Sequence, residues 1–122
     1  VFFALLSLEY YDRDPRGRDL TAEMIALKRA LCTLPHTPDT HFHASFGHLN
    51  SYSALYYTYL WSLVIAKDLF SVFRSDLLDR EPAARYRRSV LEPGGTRDAV
   101  ELVRAFLGRD YEFAAFERWL AE

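Results

Sequence analysis

Apolar residues recur along the chain with the spacing of helices, and no segment alternates convincingly with period two. Residues 1–11 are apolar on all sides, which predicts a buried helix, with a strand as the weaker alternative. A second helix is predicted from Thr21, its expected N-cap, to about Cys32, because apolar residues follow one of its faces. These patterns together predict an all-α fold.

The longest predicted helix runs from about Asn50 to Phe73 and would be the central helix of the fold. With a rise of 1.5 Å per residue, this helix would span roughly 36 Å. Its first two thirds carry few polar residues, so we expect it to be covered on several sides. The stretch before it, residues 34–47, contains two prolines and is predicted to be irregular.

Three short helices are predicted after the long one. Pro82 lies near the start of the first, where its missing N–H does no harm. The sequence EPGG at 92–95 predicts a turn. The second short helix is expected to begin at Thr96 as its N-cap and to end at Gly108, and the third to occupy residues 111–120.

The composition is that of a folded domain without a strong electrostatic field. Half of the 122 residues are hydrophobic and 26% are charged, which is not the profile of a disordered chain. The formal net charge is −2, which gives no general attraction for nucleic acid or anionic lipid. The opening apolar run is shorter than the roughly 20 residues of a membrane helix and lacks the basic start of a signal peptide. We therefore expect neither nucleic acid nor a membrane as a partner.

Cys32 is the only cysteine, which excludes an intramolecular disulfide and a thiolate metal cluster. A chain without disulfides fits a reducing compartment, so we expect a cytoplasmic protein. Because Cys32 lies on an amphipathic helix next to Leu31, ordinary burial is favoured over a role as a nucleophile paired with a histidine. The chain begins at Val1 inside an apolar run and without Met, which indicates that it was cut from a longer protein.

The candidate chemistry lies in FGHLNSYSALYYTYLW, residues 46–61. Tyr52, Tyr56 and Tyr59 are spaced i, i+4 and i+7, so on the predicted long helix they share one face. Phenols stay protonated at neutral pH and can donate to a peptide carbonyl or to the oxyanion that forms when water attacks it. His48, just before that helix, could add a donor or position the substrate. The alternative is that the tyrosine stripe is core packing and the histidine a structural hydrogen-bonding group.

A further hypothesis is a metal site within this chain, built from His41, His43 and His48, because histidine is a common metal ligand. However, no Asp or Glu lies between His41 and His48, and the sequence H-E-x-x-H occurs nowhere in the chain. The residues therefore favour a chain without a metal site of its own.

The order of the motifs resembles a family of zinc metallopeptidases. The string F-G-H-L followed by Y-x-x-x-Y-Y-x-Y-L-W-S is similar to the region after the zinc site in thimet oligopeptidase, oligopeptidase A and dipeptidyl carboxypeptidase. The later strings VIAKDLFSVF and RYRRSVLEPGGTRDAVELVRAFLGRDYEFAAF look like the continuation and closing segment of that family. The resemblance covers about residues 40–120. The family usually places a Gly-Gly pair between this histidine and the first tyrosine, where this chain has LNS.

The resemblance implies an all-α zinc peptidase that cleaves short peptides in a deep channel. Residues 1–122 would be its C-terminal helical segment and form the substrate-side wall. In that family an H-E-x-x-H helix and another Glu bind the zinc, so the zinc would be held by residues outside this chain. Tyr59 matches the tyrosine credited with stabilising the oxyanion, Tyr52 and Tyr56 match neighbours that contact the substrate, and His48 matches the histidine that precedes them.

The expected partners are a short peptide substrate and the remainder of the parent protein, by which we mean the longer polypeptide that contains these residues. Taken alone, the chain should not hydrolyse peptides, and its uncovered apolar helices predict a homo-oligomer. The hypothesis of a different class is a non-catalytic helical interaction module. The presence of H-E-x-x-H elsewhere in the parent protein would favour the peptidase, and its absence would favour the module.

Overall fold

The computed structural model describes all 122 residues and contains α-helices joined by turns and loops, with no strand, so the all-α prediction is confirmed. The helices form two compact units, residues Val1–Tyr59 and Leu60–Glu122. In chain order the eight α-helices are α1 (Phe2–Asp12), α2 (Leu20–Leu31), α3 (Phe42–Ser45), α4 (His48–Tyr52), α5 (Thr58–Ser71), α6 (Arg80–Tyr86), α7 (Ala99–Leu107) and α8 (Ala114–Leu120). The longest helix has 14 residues, and none is long and apolar enough to cross a bilayer.

In the first unit, α1 and α2 pack together around a small core. Leu6 and Met24 are fully buried there, and Phe46 joins them from the loop after α3. The phenol of Tyr10 donates a hydrogen bond to the carbonyl of Leu20, which ties α1 to the start of α2. Burial raises the pKa of Tyr10 to about 12, so the hydroxyl keeps the proton that it donates.

The helix predicted over residues 1–11 is confirmed as α1, but the expectation that it is buried is wrong. Only Leu6 and Ser7 are buried, whereas Val1 is 72% and Leu8 48% exposed. The helix is apolar around its whole circumference, and the core of this small unit covers one side of it.

Asp19, and not Thr21, caps the second helix. The carboxylate of Asp19 accepts a hydrogen bond of 2.9 Å from the N–H of Ala22, which satisfies one of the free donors at this helix end. A carboxylate is also favoured by the positive end of the helix dipole. Thr21 lies inside the helix, and its hydroxyl is 3.3 Å from Nδ1 of His41.

The long helix predicted from Asn50 to Phe73 is broken, because α4 ends at Tyr52 and α5 begins only at Thr58. Ser53 has φ 48° and ψ −120°, a backbone conformation that L-residues rarely adopt and that cannot continue a helix. A single 3₁₀ turn, Leu55–Tyr57, connects the two helices. No glycine or proline marks this break, so the spacing of apolar residues predicts one continuous helix across it. The irregular stretch predicted at 34–47 is found, apart from the one turn of α3.

In the second unit, α7 supplies the largest part of the core through Leu102, Val103 and Phe106. The ring of Phe106 stacks on Phe73 at 6.1 Å and meets Tyr86 edge-on at 5.3 Å between centroids. These contacts place α7 against the end of α5 and against α6. The three predicted short helices are therefore present as α6, α7 and α8.

The ends of the short helices agree with the sequence at some positions and differ at others. Pro82 lies in the first turn of α6, as predicted. Gly108 ends α7 with φ 73°, a left-handed conformation that glycine adopts without cost. The expected cap Thr96 is instead part of a 3₁₀ turn that follows Pro93, and Asp98 occupies the N-cap position of α7.

Asp68 is the one charged side chain that the second unit buries. It is 2% exposed and receives two hydrogen bonds of 2.7 Å from the guanidinium of Arg109 and one of 2.8 Å from the N–H of Glu112. The bonds from Arg109 hold the pKa of Asp68 below its usual range, although burial acts in the opposite direction. The carboxylate thereby fastens the segment after α7 to the second half of α5.

We expect Asp68→Asn to lower the free energy of unfolding by about 2 kcal/mol near neutral pH. This is less than the roughly 3–5 kcal/mol for breaking a fully buried pair, because the Arg109 side chain is 40% exposed and can turn to water. Since the pKa of Asp68 is lowered by folding, its contribution is present above the unfolded pKa and is lost as the pH falls through the folded pKa. Urea unfolding of the unsubstituted chain and of the Asp68→Asn variant over a pH series measures this difference in the free energy of unfolding.

The matched control is Asp110→Asn. Asp110 follows Arg109 in the segment after α7, and its substitution removes an exposed ion pair with Arg104. We expect it to cost less than about 0.5 kcal/mol. Equal losses for the two variants, or a difference that does not shrink on acidification, would contradict the role given to Asp68.

Large apolar side chains remain uncovered in both units. Leu34 is 75% exposed in the first unit, and Leu77 and Leu78 are 63% and 87% exposed in the second. In α5, Trp61 and Phe70 are about half exposed, so the expectation that this region is covered on several sides is not met by the chain itself. Exposed apolar surface in such amounts is typical of a surface that another protein segment contacts.

We expect the isolated chain to be at least dimeric, or to aggregate, at micromolar concentration, because these apolar residues are not shielded from water. Light scattering or sedimentation measures the mass directly. The substitution Leu78→Lys should weaken association by placing a charge on the most exposed leucine. A clean monomer that does not bind a hydrophobic dye would show that the expectation is wrong.

Candidate substrate-binding site

The four residues singled out by the sequence lie in the first unit, on α4, on the 3₁₀ turn that follows it and at the start of α5. His48 is the first and Tyr52 the last residue of α4. Tyr56 lies in the 3₁₀ turn, and Tyr59 is the second residue of α5. The prediction that the three tyrosines share one helix face is therefore wrong, because the chain changes direction at Ser53.

The change of direction gathers the three tyrosine rings around the imidazole of His48. Between ring centroids, His48 is 5.6 Å from Tyr52, 5.1 Å from Tyr56 and 6.0 Å from Tyr59. Tyr56 and Tyr59 are also in contact, at 5.0 Å. These are ordinary distances for packed aromatic pairs. We call these four residues the His48 cluster.

Phe46 fixes the position of the His48 cluster relative to the core. Its ring is 9% exposed and lies 5.4 Å from the ring of His48 and 5.3 Å from that of Tyr56. Phe46 also belongs to the buried cluster with Leu6 and Met24. The sequence analysis gave Phe46 no role. The signal that could have found it is its helical spacing, four residues after Phe42 and two before His48.

The members of the His48 cluster differ in exposure. Tyr56 is half-buried and packs against the core, so for this residue the packing interpretation is partly correct. Tyr52 and Tyr59 are 53% and 56% exposed. Their hydroxyls are thus available to a ligand that lies over this surface, which core packing alone does not explain.

A hydrogen bond of 3.2 Å joins Nε2 of His48 to the hydroxyl of Tyr59. Its direction depends on the imidazole. When Nε2 carries a proton it donates to the Tyr59 oxygen, and the phenol O–H is then free to donate to another acceptor. When Nε2 is unprotonated the phenol donates to it instead. The imidazole therefore controls whether Tyr59 has a proton to offer outside the cluster.

The histidines do not fit a zinc ion. The rings of His41 and His43 meet edge-on at 6.1 Å, and Nδ1 of His41 lies beside the hydroxyl of Thr21. The ring of His48 packs against the rings of Phe46 and Tyr56. The chain has no group of three or more His, Cys, Asp or Glu side chains that could hold a metal ion, whereas zinc sites use at least three protein ligands.

The sequence profile of Peptidase family M3 matches the whole chain, residues 1–122. Among curated relatives, the mitochondrial intermediate peptidase of Coprinopsis cinerea is 42% identical over 90 residues, which are 73% of this chain and 12% of the relative. The protein of the same name from Mus musculus is 32% identical over 108 residues, which are 88% of this chain and 15% of the relative. The chain thus spans 12–15% of the length of these relatives.

The comparisons also correct one expectation. The relatives carry the name mitochondrial intermediate peptidase, which contradicts the cytoplasmic location expected from the sequence. The physical reason is that a single cysteine indicates a reducing compartment but does not distinguish one such compartment from another. The resemblance to a metallopeptidase family, by contrast, is confirmed. A profile match over all 122 residues and relatives above 30% identity lead to one conclusion: the chain belongs to Peptidase family M3.

Proposed function

We propose that residues 1–122 form the C-terminal helical segment of a zinc-dependent oligopeptidase and supply the substrate-side wall of its active-site channel. The substrates are short peptides, and the remainder of the parent protein is the partner that completes the channel. In this proposal the zinc is held entirely by residues outside this chain. The parent protein acts in mitochondria, in keeping with the names of its relatives.

The observation that carries the proposal is the His48 cluster. It presents two half-exposed phenols beside an imidazole on one surface. Such a surface offers several hydrogen-bond donors to the carbonyl groups of an extended peptide, while the rings provide apolar contact for its side chains. In this proposal His48, Tyr52 and Tyr56 bind the substrate.

Tyr59 has the catalytic part in the proposal. Its hydroxyl donates to the scissile carbonyl oxygen, where negative charge develops during hydrolysis. His48 supports this by donating through Nε2 to the Tyr59 oxygen, at 3.2 Å, so that the phenol proton points to the substrate. A donor that is positioned before the reaction begins lowers the barrier without reorganisation.

We expect Tyr59→Phe in the parent protein to lower kcat about 100- to 1,000-fold, the usual effect of removing one oxyanion donor. KM should change little, because the lost bond is strongest in the transition state. Steady-state kinetics on a well-cleaved peptide measure both constants, and unfolding curves check that the fold is retained.

Tyr57→Phe is the matched control, since Tyr57 lies two residues earlier in the 3₁₀ turn before α5, is 49% exposed, and is not a member of the His48 cluster. It should leave kcat near the unsubstituted value. Near-normal turnover of Tyr59→Phe would remove Tyr59 from the catalytic role. A parent protein that lacks H-E-x-x-H and cleaves no peptide would instead support the second candidate, a non-catalytic helical interaction module, which the exposed apolar residues also suggest.

We also expect the isolated chain to retain no stoichiometric zinc after dialysis near neutral pH, because no three of its potential ligands come together. The parent protein, measured in parallel by the same metal analysis, should retain zinc. One tightly held zinc ion per isolated chain would contradict the assignment of the zinc ligands to residues elsewhere.

A further inference from the structure

Tyr11 makes a long-range hydrogen bond that ends at the helix carrying His48 and Tyr52. Tyr11 is the penultimate residue of α1, and its phenol donates to the carbonyl of Leu49 in α4, 38 residues further along the chain. The ring of Tyr11 is 51% exposed and is not a member of the His48 cluster. Nothing in the packing of α1 itself requires a hydroxyl at this position.

The carbonyl of Leu49 is one of the acceptors that a short helix leaves free. The last four carbonyls of an α-helix have no partner inside the helix, and α4 has only five residues. At Ser53 the chain leaves the helical conformation altogether. The Tyr11 hydroxyl therefore satisfies an acceptor that the local backbone does not.

Leu49 is the residue through which α4 is attached to the rest of the unit. Its side chain packs against the core of Leu6, Met24 and Phe46, and its N–H donates to the carbonyl of Phe46 at 3.0 Å. An isolated helix of this length is unstable, so α4 depends on such contacts for its conformation. The bond from Tyr11 adds a directional polar contact from α1 to the apolar packing of the Leu49 side chain.

We propose that Tyr11 is a positioning residue for substrate binding, because it holds α4 in the orientation that presents His48 and Tyr52 to the peptide. This inference rests on the proposed function of the His48 cluster. Tyr11 does not touch the substrate in this proposal. It acts through α4, which carries the substrate-binding residues His48 and Tyr52, so binding is affected most. Because His48 also bonds to Tyr59, the chemical step is affected to a smaller extent.

The neighbouring residue provides a matched control. Tyr10 lies on the same helix, and its phenol also donates to a backbone carbonyl, that of Leu20. Leu20 begins α2, which carries no member of the His48 cluster. Tyr10→Phe and Tyr11→Phe thus each remove one hydroxyl and one bond to a carbonyl, but only the second loosens α4.

The experiment compares the two variants in the full-length parent protein. Tyr11→Phe should raise KM for a short peptide about three- to tenfold, the range that one lost hydrogen bond produces, with a smaller fall in kcat because His48 also bonds to Tyr59. Amide hydrogen exchange of residues 48–53 should become faster in the same variant. Tyr10→Phe should leave KM and the exchange of residues 48–53 at their unsubstituted values.

The outcomes separate this inference from the proposed function. An unchanged KM in Tyr11→Phe, an equal rise in Tyr10→Phe, or a fall in kcat without a rise in KM would each overturn the positioning role. A full-length protein that cleaves no peptide would overturn the proposed function. In that event the exchange measurement still decides whether Tyr11 holds α4. Unchanged exchange of residues 48–53 in Tyr11→Phe would show that the Tyr11 hydrogen bond does not hold this helix.

Discussion

The packing of Phe46 connects the core of the first unit to the His48 cluster. Phe46 belongs to the buried cluster with Leu6 and Met24, and its ring also contacts those of His48 and Tyr56. Aromatic rings bury a large apolar area and have few rotatable bonds, so a buried ring holds its neighbours with little conformational freedom. The His48 cluster is therefore positioned by a contact with the core, although α4 and the 3₁₀ turn, which carry three of its four residues, are too short to hold their conformation alone.

In the second unit a buried carboxylate, and not an aromatic ring, connects separate segments of the chain. Asp68 accepts hydrogen bonds from Arg109 and Glu112 and thereby fixes the segment that follows α7. A buried carboxylate is costly to desolvate unless its oxygens are satisfied, and here three donors do so. Both units thus rely on a few specific contacts, because their apolar cores contain few fully buried residues.

Membership of Peptidase family M3 gives a context to the uncovered apolar residues. The chain spans 12–15% of the length of its mitochondrial intermediate peptidase relatives. In a longer protein, other segments can cover side chains such as Leu34 and Leu78. Their exposure in this chain would then mark the surfaces that those segments contact. The half-exposed side chains of Tyr52 and Tyr59 differ from these leucines, because each ring also carries a hydroxyl group that forms hydrogen bonds.

The sequence by itself determined the fold class, most helix positions and the residues of the candidate site. Helical periodicity, the proline at 82 and the glycine at 108 are local signals. The proline correctly predicted the start of α6 and the glycine the end of α7, because each acts on the backbone at its own position. The tertiary structure alone decided that the helical path breaks at Ser53 and that the tyrosines surround His48 instead of forming a row. No residue type marks that break, because a serine reaches φ 48° only where surrounding contacts offset the cost of a conformation that it does not prefer.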